Sequence, residues 1–176
     1  EMSWLLPFAL FSLVVIVFRS KIQLPVDSGA HLGLILWGGW LMTCVVFFSM
    51  VSGIFHSYYV VMLAPALGAV VGGGFSYLWQ KQAQGQARGG WVLILGVAVT
   101  VAFEIFLAWQ YGVNAAWMPL AFVLVALAAV LLFVQLFKSV TFVPRVAFSI
   151  LLIAMLIVPL CWSVLTVNNI GSSGLP

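Results

Sequence analysis

The chain has 176 residues, 65% hydrophobic and only 5% charged, with a mean hydropathy of +1.28 and a net charge of +3. A soluble domain carries about a quarter charged residues, so this chain cannot clothe itself in a hydrated surface, and its solvent is lipid. Its six Lys and Arg are spread along the chain rather than gathered, which excludes a nucleic-acid surface.

Six apolar runs can be marked, at 4–18, 32–51, 60–79, 91–109, 117–137 and 146–165. A helix needs about 20 residues to cross a hydrocarbon core of ~30 Å. Five runs reach that length and the first is shorter. Backbone groups must be satisfied inside lipid, and no strict alternation of the barrel kind is present, so the expected fold is all-α and polytopic with about six transmembrane helices. Residues 1–166 form the membrane region, and 167–176 read as an extracytoplasmic linker. The first residue is Glu1 rather than Met, and the sequence reads as part of a longer polypeptide.

Between runs one and two lie Arg19, Lys21 and Asp27, the last read as a solvated counter-charge. Run two carries Cys44 and run six Cys161. Two thiols in separate spans make no disulfide framework and read as small packing residues. Run two gives way to Gly53-Ile54-Phe55-His56-Ser57-Tyr58-Tyr59, and a new apolar run begins at once. His56, Tyr58 and Tyr59 are open to two readings. Tyrosines populate any membrane interface, but an imidazole and two phenols beside a helix start also suit a phosphate. Pro65 is expected to kink the third helix below the surface. Within that run Ala64, Gly68, Gly72 and Ser76 recur every four residues, a stripe on which another helix can pack closely. Gly72-Gly73-Gly74 lacks the lysine and hydroxyl of a phosphate loop.

The segment 80–90 has glutamines and glycines without apolar periodicity and reads as a flexible connector. Glu104, the lone acid inside a run, costs about 2.5–3.5 kcal/mol at a helix centre on insertion scales, which implies a role or a partner. It is expected to face the bundle interior at the depth of His56, pairing with it or ordering a polar substrate. The alternative is a protonated carboxyl bonded to a neighbouring helix. Cys and His show no zinc-type spacing, so no metal site and no cofactor are expected, with a divalent cation requirement left open.

All six basic residues fall in alternate loops: Arg19 and Lys21, Lys81 and Arg88, Lys138 and Arg145. By the positive-inside tendency those loops are cytoplasmic, and the His56 loop and the C-terminus are extracytoplasmic, in a multi-pass protein of the plasma (inner) membrane. Trp79 and Trp91 flank a cytoplasmic loop and Trp109 and Trp117 an outer one. Trp4 and Trp162 sit towards outer ends, all as interface markers.

The stretch Phe48-Ser49, Gly53-Ile54-Phe55-His56-Ser57-Tyr58-Tyr59 and Leu63-Ala64-Pro65-Ala66-Leu67 resembles a segment of bacterial membrane glycosyltransferases of the protein-mannosyltransferase (family 39) superfamily. The most similar group is the mannosyltransferases with a multi-helix membrane part and a C-terminal extracytoplasmic domain. There a Phe-Ser pair leads into His-Pro-Tyr-Tyr; here Ser57 stands in place of the proline. The resemblance is specific over about residues 32–80 and extends elsewhere only as hydropathy and loop order. It implies that the chain is the C-terminal half of the membrane part of a GT-C fold, and transfer of a mannose-like sugar from a polyprenyl-phosphate donor on the outer face. His56, Tyr58, Tyr59 and Glu104 would then serve the donor phosphate or sugar. That family's acidic motif lies in an N-terminal outer loop with no counterpart among Glu1, Asp27 and Glu104. The catalytic residues are therefore unassigned and the base is expected outside this chain, on the remaining N-terminal helices of the same enzyme, leaving the chain inactive alone. The partners expected are membrane lipid, the polyprenyl-phosphate sugar and those helices. The competing reading is a non-catalytic membrane subunit or scaffold. A transporter is disfavoured, because no internal repeat is visible.

Overall fold

In the computed structural model, residues 4–19, 29–51, 61–110, 118–135 and 142–168 are described. They form six helices in chain order: α1 Leu6–Arg19, α2 Gly29–Met50, α3 Ala64–Ala83, α4 Ala87–Gln110, α5 Met118–Gln135 and α6 Phe142–Asn168. No strand occurs among the described residues. Among the described residues four segments are long and apolar enough to cross a membrane: His31–Met50, Val61–Ala83, Arg88–Gln110 and Pro144–Leu165. Leu6–Phe18 and Pro119–Gln135 are apolar but shorter. The expectation of about six spans thus resolves into four helices of spanning length and two shorter apolar ones.

α4 is the central helix and packs on α1, α3, α5 and α6. Its buried stripe runs Leu93, Val97, Thr100 with its neighbour Val101, Glu104 and Ala108, a recurrence every three or four residues that keeps one side of a 3.6-residue helix turned inward. α6 answers with Ala147, Phe148, Leu151, Ala154, Met155 and Val158, and packs most extensively on α5. Aromatic rings tie α1, α3 and α6 together. Phe8 lies 6.3 Å from Phe75, Phe75 meets Phe148 edge-on at 6.1 Å, and Trp79 lies 4.3 Å from Phe148. Lipid tails are as apolar as these side chains, so packing rather than water exclusion holds the helices together.

Three expectations about α3 and its flanks change. A turn of 3₁₀ helix spans residues 61–63 and α3 begins at Ala64, so Pro65 occupies the first turn. There its missing N–H has no helical partner to lose, and it starts the helix instead of kinking it. The stripe Gly68, Gly72, Ser76 is exposed, Ala64 is half-buried, and no atom lies within 4 Å of where a Cβ on Gly68 or Gly72 would stand. The glycine that does admit a neighbour is Gly74, against which Ser12 of α1 packs so closely that a Cβ would overlap its side chain.

The segment 80–90 is ordered, not a flexible connector. Helix α3 continues through Ala83, and Gly85 turns the chain at φ +81°. The Gln86 N–H donates to Lys81 O and the Gly85 N–H to Gln82 O, both at 3.0 Å, which is the double bond of a Schellman stop. Gly89 follows in α4, where a Cβ would stand 2.9 Å from Leu78 O. The Gln82 side chain accepts the Gly90 N–H at 3.1 Å and donates to Gln135 Oε1 of α5 at 3.4 Å. Glutamines therefore cross-link the hairpin to α5 where apolar periodicity gives no signal.

Candidate functional site

The two ends of the bundle differ chemically. At one end Phe18 of α1, Lys81 of α3 and Arg88 of α4 line a common cavity, and Gln135 at the end of α5 bonds Gln82. At the other end Trp4, Ala108 of α4 and Val158 of α6 form a small apolar cluster, with the Trp4 and Trp162 rings 5.1 Å apart. Trp4 is buried in that cluster, so it acts as a packing residue rather than the interface marker expected of it. α1 and α6 therefore point in opposite directions, and Arg145 in the first turn of α6 falls at the basic end. A cavity of about 260 Å³ brings Gly33 and Leu34 of α2 beside Tyr77 of α3 and Ile16 of α1. α2 therefore starts at the basic end and runs away from it, and α3 runs back.

Glu104 sits in α4 one turn before Ala108, on the half of the bundle away from the basic residues. Its side chain is fully buried and, among the described residues, neither carboxyl oxygen has a hydrogen-bond partner. The expectation that it faces inward rather than towards lipid agrees with this burial. A buried carboxyl without a partner is costly, so packing alone gives no reason to keep it. Thr100, one turn earlier and also buried, donates its hydroxyl to Gly96 O at 2.9 Å and is satisfied within its own helix.

His56, Tyr58 and Tyr59 lie outside the described residues, in the chain between the end of α2 and residue 61. The expected proximity of Glu104 to His56 therefore has no measured distance. The other histidine, His31, opens α2 at the basic end, away from Glu104. Among the described residues no three His, Cys, Asp or Glu side chains come together as a metal site would require. Cys44 is buried, Cys161 half-buried, and both are free thiols. Sequence reasoning missed Ser12, whose buried hydroxyl also lacks a partner among the described residues. Its signal is weak, since one serine in an apolar helix ordinarily bonds its own backbone.

These features define an all-helical polytopic membrane domain that buries one acidic side chain. It is distantly homologous to proteins named as mannosyltransferases. Over its whole length the chain is 32% identical to "Putative mannosyltransferase YkcB" and 27% identical to "Putative mannosyltransferase YycA", both of Bacillus subtilis. It spans about a quarter of the length of each, 25% and 26%. No family model matches the chain. No solved structure matches it either.

Proposed function

We propose that the chain is the membrane region of a GT-C glycosyltransferase that transfers a mannose-like sugar from a polyprenyl-phosphate donor on the extracytoplasmic face. The observation that carries the reading is the alignment of the whole chain with two proteins named as mannosyltransferases. In this reading the basic end lies in the cytoplasm, and Glu104 and the His56 segment belong to the outer half. His56, Tyr58 and Tyr59 hold the donor phosphate through charge-assisted and phenolic hydrogen bonds. A carboxylate beside a phosphate would repel it, so Glu104 serves the sugar end, where hydroxyl groups can donate to its oxygens.

In the transfer step the acceptor oxygen bonds to the anomeric carbon while the bond from that carbon to the phosphate oxygen breaks. The hydroxyl proton passes to a carboxylate base. Polyprenyl phosphate leaves with the bonding electrons. The base comes from outside this chain, because Asp27 belongs to a basic loop and Glu104 is given to the sugar end in this reading.

The test is release of polyprenyl phosphate from polyprenyl-phosphate mannose by the intact protein in vesicles. His56→Ala should slow release at least tenfold while leaving the melting temperature unchanged. Unchanged release by the variant removes the donor role of His56. No release by the wild type with any hexose donor leaves the scaffold reading in its place.

A further inference from the structure

The cavity at the basic end plays no part in sugar transfer on the opposite side. It is about 420 Å³ and lies between α1, α3 and α4, within the range of small-molecule sites. One wall is apolar and includes Val14, Phe18 and Leu95, which are 53%, 83% and 58% exposed and so continue the lipid-facing surface of the bundle. The other wall carries Tyr77, Lys81 and Arg88. The Lys81 ammonium lies over the Tyr77 ring, 5.5 Å from its centroid, which keeps the charge above a side chain of the cavity. Arg88 is exposed.

No carboxylate among the described residues balances these two cations. Glu104 is the one described acid, sixteen residues along α4 from Arg88 and thus about 24 Å away. A further helix with no acid of its own, laid into the groove, would bury the ammonium and guanidinium with no counter-charge among the described residues. A molecule that supplies both a phosphate and hydrocarbon removes that cost. Basic pockets between membrane helices have this character where they take anionic headgroups.

We propose that this cavity binds one anionic phospholipid, its phosphate on Lys81 and Arg88 and its hydrocarbon against the apolar wall. The site is independent of the transferase reading, since it needs neither His56 nor Glu104. Removing two near-surface cations should weaken phosphate-lipid preference about 30-fold.

The test is retention of phosphatidylglycerol over phosphatidylcholine by the intact protein, read by native mass spectrometry after exchange into mixed-lipid nanodiscs. K81Q/R88Q should lose the preference by about that factor. R145Q, which removes a charge at the same end but outside the cavity, should keep it. V92W, which puts an indole in place of Val92 on the cavity wall, should lose it with both cations in place. Excess inorganic phosphate should not displace the bound lipid. The proposal is overturned if K81Q/R88Q retains phosphatidylglycerol as wild type does, as it would with a helix seated in the groove. It is overturned equally if R145Q loses as much as the double variant, or if inorganic phosphate alone competes.

Discussion

Replacing Gly74 with Ala tests the crossing of α1 and α3 with a single carbon. The added Cβ would overlap Ser12 Oγ and Cβ and stand 3.4 Å from Ser12 Cα. Ser12 is fully buried, so its side chain cannot swing into open space. Overpacking of this kind costs about 1–3 kcal/mol, and atoms this near the backbone belong at the upper end. Ala gains about 1 kcal/mol over Gly in helix propensity, which leaves a net loss of about 2 kcal/mol. The swap S12G/G74A moves the one side chain from α1 to α3, leaving only the ordinary contact with the residue-12 Cα. It should return to within about 1 kcal/mol of wild type, about 1–2 kcal/mol better than Gly74→Ala alone. Gly72 supplies the control, being exposed with nothing within 4 Å of a Cβ. Gly72→Ala should be neutral or stabilising by up to about 1 kcal/mol. The assay is unfolding in mixed micelles of increasing dodecyl sulfate, followed by tryptophan fluorescence. Equal effects of Ala at 72 and 74, or a swap no better than Gly74→Ala alone, would refute the close crossing.

Two further substitutions test the carboxyl and the hairpin. Glu104→Leu removes a buried carboxyl with no described partner. It should raise stability in the same micelle assay by about 2 kcal/mol, on the cost of burying a polar group without a hydrogen bond, while lowering donor turnover in the intact protein. A loss of stability instead would show that the carboxyl bonds a neighbouring helix. Gly85→Ala forces a Cβ onto φ +81°, which should cost about 1–2 kcal/mol in unfolding. An equally stable variant would mean that the hairpin does not need the left-handed turn.

Much of the architecture was legible in the chain itself, because lipid imposes rules that act on composition alone. Apolar runs of about 20 residues must become helices. Six basic residues between alternate pairs of apolar runs give the bundle two unlike ends, and Lys81, Arg88 and Arg145 do gather at one of them. A lone acid in an apolar run has to turn inward, and Glu104 does so. Which side of each helix meets a neighbour was decided only by the packing. In water a polar side marks the exterior, but in a membrane both sides are apolar and periodicity loses its meaning. The regular stripe Gly68, Gly72, Ser76 therefore looked like the contact surface of α3, whereas Gly74 makes the close crossing. The glutamine hairpin was hidden for a related reason: Gln82 bonds Gln135 across fifty-three residues of chain, and no local pattern records a partner so distant. The cavity over Lys81 and Arg88 belongs to the same class, since it exists only where three helices end side by side.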